Sequence, residues 1–523
     1  MVERPTEATS GIPRLIPDPL RDNFETPPPQ PRRSTRQHFK SDYMRRLRAG
    51  EGTRDGRIPL DFVKELQEKL AADEDDTNIM YAMVAGMAEA EGLDPSTVCE
   101  AKSQADWPKW QNAINAELNS LEEVHTWDVI ECPKGANVVG CKWVFKIKHN
   151  AAGEIEKYKA CLVTKGYSQI QGIDYDETYA PIARLTSLCT ILAVAARNDW
   201  DIDVFDFHSA FLNGKLRDGE DIYMELPEGY AVGRNFSCPV GKLNIALYGS
   251  KQGALQWYQK LCATLAGLGL TRAHADWGVF YGRIGSEILI LASHVDDCTV
   301  TGSSPSLIRS FKQEIGTRFK ISDLGPISWL LGMKVTWNRE ARTISLSQQS
   351  YIEAILTKYN LTDCKPAAIP MDPGIKLSRG EIPQPAEEAA HMKNVPYHAA
   401  VGSLMHLTIG TRPDIAFAVS TVMQFNNAPN MTHWEAVKRI YRYISGTKAL
   451  ALMFGNSERG LEGYTDADGA SQEHQRAISR YAYLLDGGAI SWASQKQELV
   501  TLSTAEVEYI AATHAAKEGL RLR

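Results

Sequence analysis

The sequence predicts an α+β fold with several domains, and three observations support this prediction. At 523 residues, 43% of them hydrophobic, the chain is long enough to bury more than one core. From Asp106 onward, Trp110 and Ile114 recur at helical spacing. Residues 137–148 and 155–164 instead alternate apolar and polar side chains, which is the pattern of two half-buried strands joined by a turn.

Residues 1–104 differ in composition from the rest of the chain. A proline-rich run at 27–31 cannot join a helix or the interior of a sheet. A basic cluster follows at 32–48, and an acidic run at 73–76. We interpret this segment as a mostly disordered linker. Its basic cluster either contacts nucleic acid, serves as a nuclear address or is a solvated tail.

The predicted hairpin is strongly basic. Trp143, Phe145 and Ile147 share one face of its first strand, which leaves the other face free to carry charge. A basic face suits a surface lying over phosphates, and ordinary solvent exposure explains it equally well. The lysines of the hairpin are Lys142, Lys146, Lys148, Lys157 and Lys159.

Three aspartates stand where apolar strands end. Asp206 follows the predicted strand at 200–205, and Asp296 and Asp297 follow the apolar run at 288–292. Carboxylates on neighbouring strand ends repel one another, and buried strands do not normally end in unpaired acids. Such clusters usually hold two Mg²⁺ ions roughly 3.5–4 Å apart. The pattern indicates phosphoryl transfer, although an isolated Asp pair is more often a solvated turn.

The second half of the chain alternates helices, strands and polar segments. Pro305 opens an amphipathic helix, and residues 366–396 have the polar, proline-rich composition of a linker. Residues 432–435 form a capping box that starts a helix ending at Gly446. From Leu461 the pattern predicts strand, turn, strand, strand and helix.

Composition excludes several classes of protein. The formal net charge of −7 argues against a polycation, yet it permits nucleic-acid binding, because an acidic active site offsets basic grooves. Nine scattered cysteines without a Cys-x-x-Cys pair indicate free thiols. The sequence shows neither a secretory signal nor the ~18–20 apolar residues that span a bilayer. We expect a soluble intracellular protein without a membrane partner.

Eight motifs, taken in order, resemble the reverse transcriptase region of copia-type retrotransposon polyproteins. Each motif is weak alone, but their shared order makes coincidence an inadequate explanation. The resemblance covers residues 106–523. The motifs lie at 141–148, 172–181, 206–214, 247–252, 294–297, 330–332, 410–417 and 464–468.

This resemblance implies an RNA-directed DNA polymerase shaped as a right hand, with fingers, palm and thumb. Asp206, Asp296 and Asp297 would be its catalytic residues and would hold two Mg²⁺ ions, for which Mn²⁺ can substitute. One ion would lower the pKa of the primer 3′-hydroxyl, and the other would bind the triphosphate and the leaving pyrophosphate.

The same resemblance implies partners and a location. The partners are an RNA or DNA template with its primer, deoxynucleoside triphosphates, and other parts of the retrotransposon polyprotein. The location is a cytoplasmic virus-like particle or the nucleus.

Three substrate-binding residues also follow from the resemblance. Phe211 would lie beneath the sugar and clash with a ribose 2′-hydroxyl, although an ordinary core phenylalanine is the competing interpretation. Gln252 would contact the incoming nucleotide. Lys165 would bind the triphosphate.

The resemblance divides the chain into five parts. These are a linker at 1–104, fingers and palm at 105–303, a thumb-like helical region at 304–375, a linker and connection at 376–458, and a partial ribonuclease H-like domain at 459–523.

In the last part, Asp466 would be the first metal ligand of a ribonuclease H site. Glu506 and Glu508 compete to be the second. Ser503 and Glu506 form a capping box, which explains Glu506 locally and leaves Glu508 as the candidate. Such a site needs further acids beyond Arg523, so we expect an incomplete domain without ribonuclease H activity.

Several departures from the family pattern bear on activity. His294 stands in place of a tyrosine, Cys161 and Cys189 in place of arginines, and residues 253–255 in place of Ala-Pro-Arg. The alternative function is therefore a catalytically inactive remnant that keeps the fold and binds nucleic acid. A third interpretation, an unrelated metal-dependent hydrolase, leaves Phe211 and the ordered motifs unexplained.

Overall fold

The computed structural model describes residues 95–149, 155–217, 219–230, 236–375, 377–378, 386–455, 457, 459–468, 476–501 and 503–523. These residues form two compact units. The smaller unit is Gln348–Leu450, and the larger one joins the described residues up to Ser347 to those from Ala451 onward.

The chain is already helical before the first predicted helix. Helix α1 (Val98–Ser103) buries its two apolar residues in the same core as Trp110. The prediction of a disordered linker is therefore wrong for residues 95–104, because even this short helix finds a core to pack against. Residues 1–94 lie outside the described part of the chain.

The first part of the larger unit contains the predicted hairpin and a second sheet. Its further elements are α2 (Trp107–Glu123), β1 (Trp127–Glu131), β2 (Val138–Val139), β3 (Cys141–His149), β4 (Ile155–Thr164), α3 (Leu185–Asn198), β5 (Ile202–Phe207), β6 (Tyr223–Glu225) and β7 (Pro239–Leu243). Strands β3 and β4 pair antiparallel, and Trp143 and Phe145 are buried on one face of this hairpin, as predicted. A four-stranded sheet has the order β1-β7-β6-β2.

A six-stranded antiparallel sheet forms the centre of the larger unit. Its remaining elements are α4 (Gly253–Gly267), β8 (Thr271–Arg272), β9 (Val279–Ile284), β10 (Glu287–His294), β11 (Asp297–Gly302), α5 (Pro305–Arg318) and β12 (Ile321–Pro326). The strand order is β12-β5-β11-β10-β9-β8. Alternate residues of β5 face opposite sides: Phe205 and Phe207 pack with α4 and α5, whereas Ile202 packs with α3.

The region expected to be a thumb-like helical domain is not helical throughout. Helix α5 begins at Pro305 as predicted, but it packs on the central sheet, and β12 joins that sheet beside β5. A separate sheet follows, with β13 (Trp329–Leu330), β14 (Met333–Asn338) and β15 (Thr343–Ser347). The prediction for 304–375 is wrong in this respect, because the pairing of β12 with β5 joins residues more than a hundred positions apart.

Helices form the smaller unit. They are α6 (Gln349–Lys358), α7 (Ala386–Met392), α8 (Tyr397–Gly410), α9 (Ala416–Met423) and α10 (Met431–Gly446), and they enclose one hydrophobic core. The expected boundary between 375 and 376 falls inside this unit. Helix α10 ends at Gly446 as predicted, but its capping box is formed by Asn430 and His433 rather than by residues 432–435. The imidazole of His433 replaces the glutamate that the sequence pattern requires.

The last part of the chain has the predicted order of elements. After β16 (Leu452–Gly455), which pairs with β15, come β17 (Leu461–Asp468), β18 (Ile478–Leu485), β19 (Gly488–Lys496) and α11 (Thr504–Leu522). Ser503 caps α11, its hydroxyl accepting from the backbone N–H of Glu506. Among the described residues, no helix combines the length and apolar character needed to cross a bilayer.

Candidate active site

The three aspartates lie at one end of the central sheet. Strands β5 and β11 are neighbours, and their register places Asp206 directly opposite Asp297. Directly opposed residues of an antiparallel pair point to the same face, with Cβ atoms about 4.5–5.5 Å apart. Asp296 lies in the turn between β10 and β11. The fold therefore brings these three candidates together.

The turn that carries Asp296 is held from two sides. Val295 has a φ of 60°, a region that β-branched residues rarely adopt. Its carbonyl accepts a hydrogen bond from the indole N–H of Trp257 at 3.0 Å. The carbonyl of Asp296 accepts one from the backbone N–H of Phe207 at 2.9 Å. Strain of this kind persists only where the surroundings fix it, and it is frequent at active sites.

The carboxyl of Asp296 is electrostatically unusual. Burial, together with the charge of Asp206, raises its pKa to about 6, while the hydroxyl of Tyr248 and the charge of Lys159 act in the opposite direction. Its Oδ2 accepts from Tyr248, but its Oδ1 is buried without a hydrogen-bond partner among the described residues. A buried acceptor without a donor is costly, so this oxygen is ready for a cation.

The three aspartates supply the type of donor atom that a hard divalent cation takes. Carboxylate oxygens are the ligands that Mg²⁺ prefers, and a cation would offset both the repulsion between the acids and the unpartnered Oδ1 of Asp296. Among the described residues, however, no group of three or more acid, histidine or cysteine side chains is placed so that it could hold a metal ion. Asp206, Asp296 and Asp297 would hold the ion.

Tyr248 is a site residue that sequence reasoning missed. Its hydroxyl donates to Oδ2 of Asp296 at 3.3 Å, and its ring contacts that of Phe211 edge to face, with 4.7 Å between centroids. Burial and the nearby charge of Asp296 raise the pKa of Tyr248, so its hydroxyl stays protonated. Tyr248 lies inside the motif at 247–252, but a tyrosine beside leucine is indistinguishable from a core residue in the sequence.

Phe211 contacts Tyr248, the residue that bonds to Asp296. It belongs to a 3₁₀ turn, Ala210–Asn213, that follows β5 directly. The turn starts after Ser209, whose φ of 49° redirects the chain. Phe211 is half-buried, and through Tyr248 it is one side chain away from Asp296. This location suits a residue that contacts the sugar of a nucleotide.

Gln252 is buried in the described structure. Its side chain is 0% exposed. The amide donates to the carbonyl of Asp174 at 2.9 Å and accepts from Nε2 of Gln169 at 3.1 Å. In the described conformation these bonds hold the loop at 169–174, and the contact with the incoming nucleotide stays a prediction. The sequence hides these bonds because the partners lie about eighty positions away.

Lys165 is half-buried and directly follows the end of β4. Its backbone N–H donates to Gly140, and its side chain lies beside Gly140. The cation whose charge acts on Asp296 is instead Lys159, an exposed residue in the middle of β4. Sequence reasoning noted Lys159 only as one of the hairpin lysines, because its nearness to Asp296 depends on the fold.

Two residues that depart from the family pattern, His294 and Cys189, are affected by burial. Burial lowers the pKa of His294, although the charge of Asp297 opposes this, and so favours the neutral imidazole. Cys189 lies on α3 and is buried in the hydrophobic core that this helix helps to form. Burial raises the pKa of its thiol to about 12. Neither residue therefore adds a charge near the acids.

The ribonuclease H-like candidates lie on two different elements of the last segment. Asp466 is exposed on β17, and its Oδ2 lies 3.6 Å from a guanidinium nitrogen of Arg480. Glu508 is exposed on α11. Within the described residues, neither acid belongs to a group of three side chains able to hold a metal.

Gly249 occupies a position that admits no side chain. Its φ is +83°, and a Cβ there would lie 2.3 Å from the carbonyl oxygen of Thr164. Gly249→Ala should lower the free energy of unfolding by about 2–4 kcal/mol, because backbone strain adds to a clash with backbone. Urea denaturation measures this. Gly267→Ala, with no atom within 4 Å of the added Cβ, is the control and should change it by less than about 1 kcal/mol. Equal effects would contradict the expectation.

Comparison with known proteins identifies relatives. The family described as "Reverse transcriptase (RNA-dependent DNA polymerase)" matches residues 124–373. The chain is 41% identical to the "Retrovirus-related Pol polyprotein from transposon TNT 1-94" of Nicotiana tabacum, over 82% of this chain and 32% of the relative. It is 35% identical to the corresponding polyprotein from transposon RE1 of Arabidopsis thaliana, over 84% of this chain and 29% of the relative.

The chain thus spans about a third of the length of these polyproteins. Among solved structures, "Structure of the foamy viral protease-reverse transcriptase dRH in complex with ds DNA" aligns with a TM-score of 0.40 at 10% identity. That alignment covers 78% of this chain and 60% of the solved one.

Proposed function

The chain belongs to the reverse transcriptase family of copia-type retrotransposon Pol polyproteins, and from this premise we propose that it is an RNA-directed DNA polymerase. One observation carries the proposal: the register of β5 and β11 sets Asp206 opposite Asp297, with Asp296 in the adjoining turn. A metal-dependent hydrolase needs clustered acids too, but it does not need an aromatic residue such as Phe211 beside them.

The acids would act by holding divalent cations. Bound Mg²⁺, or Mn²⁺ in its place, would lower the pKa of the primer 3′-hydroxyl and neutralise charge on the triphosphate. Asp206 and Asp297 present their carboxylates from a rigid strand pair, which fixes the ligand positions before substrate arrives. Asp296 contributes the buried Oδ1 that lacks a protein donor among the described residues.

The remaining parts have roles in the same proposal. The central sheet and the β3–β4 hairpin serve as palm and fingers, and we assign the thumb to the helical unit Gln348–Leu450 in place of 304–375. The exposed hairpin lysines Lys142, Lys157 and Lys159 would contact phosphates of the template and primer or of the nucleotide. The enzyme would work where template RNA and deoxynucleotides meet, in a cytoplasmic particle or the nucleus.

Primer extension tests the proposal. Purified chain, oligo(dT) annealed to poly(rA), and dTTP with Mg²⁺ or Mn²⁺ should give template-dependent elongation. Folded protein that elongates nothing would refute polymerase activity. It would support the second candidate, an inactive remnant that binds nucleic acid. The observation favouring that candidate is Cys161 on β4, which stands where the family pattern has arginine and so supplies no permanent cation there.

Phe211→Val tests the role of the ring. Removing it should open space for a 2′-hydroxyl, and the preference for deoxynucleotides over ribonucleotides should fall roughly 10- to 200-fold. The measurement is the ratio of kcat/KM for dTTP to that for UTP. Phe236→Val, which alters a partly exposed phenylalanine outside the site, is the control and should leave the ratio unchanged. An unchanged ratio in Phe211→Val would leave Phe211 as a packing residue.

A further inference from the structure

We propose that Tyr248 is a positioning residue that links Asp296 to Phe211, so that cation binding and sugar selection depend on one side chain. The proposal rests on the function proposed above and deepens it. The two contacts that carry it are the hydrogen bond to Asp296 and the ring contact with Phe211.

The hydroxyl of Tyr248 makes the two oxygens of Asp296 unequal. It donates its only proton to Oδ2, and Oδ1 remains buried without a partner among the described residues. A carboxyl held at one oxygen cannot rotate freely, so the other oxygen keeps a fixed direction. Tyr248 thereby presents Oδ1 to an incoming cation.

The ring of Tyr248 supports Phe211 from the side. The two rings meet edge to face at an interplanar angle of 64°, an arrangement that adds attraction beyond area burial. Phe211 is only half-buried, so solvent does not restrict one side of its ring. The contact with Tyr248 is what restricts the movement of the ring. A sugar-contacting ring discriminates only if it cannot move aside.

The backbone of Tyr248 is fixed firmly enough to position other groups. Its carbonyl accepts from the backbone N–H of Thr164 at 2.8 Å and from the hydroxyl of Thr164 at 3.1 Å. The next residue is Gly249, whose close approach to Thr164 leaves no room for a side chain. The end of β4 therefore anchors Tyr248, and β4 belongs to the hairpin that also carries Lys159.

Two substitutions separate the two contacts. Tyr248→Phe keeps the ring and removes the hydroxyl. Tyr248→Leu removes both the ring and the hydroxyl. Tyr248→Met replaces it if the leucine variant does not fold. Tyr258→Phe is the matched control, because its hydroxyl donates to the backbone carbonyl of Trp277 and not to a carboxylate. Thermal melts establish that each variant is folded.

The first measurement is Mn²⁺ binding by the protein–primer–template complex, followed by the electron paramagnetic resonance signal of free Mn²⁺. Tyr248→Phe should weaken binding about tenfold, the effect expected from losing a hydrogen bond to a charged group. Tyr258→Phe should bind as the wild type does. Equal affinity in Tyr248→Phe and the wild type would overturn the link to Asp296.

The second measurement is the dTTP to UTP ratio of kcat/KM. Tyr248→Phe should keep the ratio within about twofold, whereas Tyr248→Leu should lower it about tenfold. An unchanged ratio in Tyr248→Leu would overturn the link to Phe211. A wild-type chain that extends no primer refutes the proposed function instead, and the Mn²⁺ measurement, which needs no polymerisation, still decides the link to Asp296.

Discussion

Asp296→Asn should reduce primer extension by roughly a thousandfold or more. The substitution keeps the size of the side chain but removes the charge that would hold a divalent cation at the buried oxygen. A cation at such a site supplies several kcal/mol of transition-state stabilisation, and each 1.36 kcal/mol corresponds to about a tenfold change in rate. Single-nucleotide incorporation under pre-steady-state conditions measures the loss without interference from product release.

The matched control for this loss is Asp466→Asn. Asp466 is an exposed acid of the larger unit, to which Asp296 also belongs. It pairs with Arg480 and not with Asp206 or Asp297. Its variant should extend primers at the wild-type rate. Extension by Asp296→Asn within tenfold of the wild type would show that Asp296 does not hold the reactive ion.

The same substitution should make the protein more stable in alkaline solution without divalent cations. At pH 8 in EDTA we expect Asp296→Asn to raise the free energy of unfolding by about 2 kcal/mol. The pKa of Asp296 is raised from its ordinary 3.8 to about 6, mainly by burial. Each pKa unit corresponds to about 1.36 kcal/mol of free energy. The expected change in the free energy of unfolding is smaller than the full pKa shift would give, because the side chain is partly exposed and solvent screens its charge.

The sign follows from proton binding. The folded state holds the Asp296 proton more tightly than the unfolded state does. Below about pH 4 Asp296 is protonated in both states, so no buried charge lowers the wild type's free energy of unfolding. The wild type loses stability as the pH rises through about 6. Urea denaturation at pH 4 and pH 8 should therefore show a gain for Asp296→Asn only at pH 8. A gain of equal size at both values would show that charge is not the cause.

Much of the site could be predicted from sequence because its residues end apolar strands. The acids at 206, 296 and 297 stand out since a buried strand rarely ends in carboxylates, and the fold then makes Asp206 and Asp297 register partners. The strand order of the last segment was equally readable, because the strands from Leu461 onward follow one another along the chain.

The parts that sequence missed depend on distant contacts. Gln252 bonds to a loop about eighty positions earlier in the chain, and its own motif gives no sign of these bonds. Lys159 and Tyr248 become site residues only once β4 and the turn at Asp296 come together. The strand β12 was missed for the same reason, since its partner β5 precedes it by more than a hundred residues.

Iron-mediated cleavage of the polypeptide tests the central claim most directly. Fe²⁺ with ascorbate and peroxide replaces Mg²⁺ and cuts the chain beside the bound ion, and mass spectrometry locates the cuts. The complex with primer and template should be cut next to residue 206 and next to residues 296–297, and excess Mg²⁺ should suppress both cuts. Cuts at only one of these places, or at neither, would contradict a shared cation site.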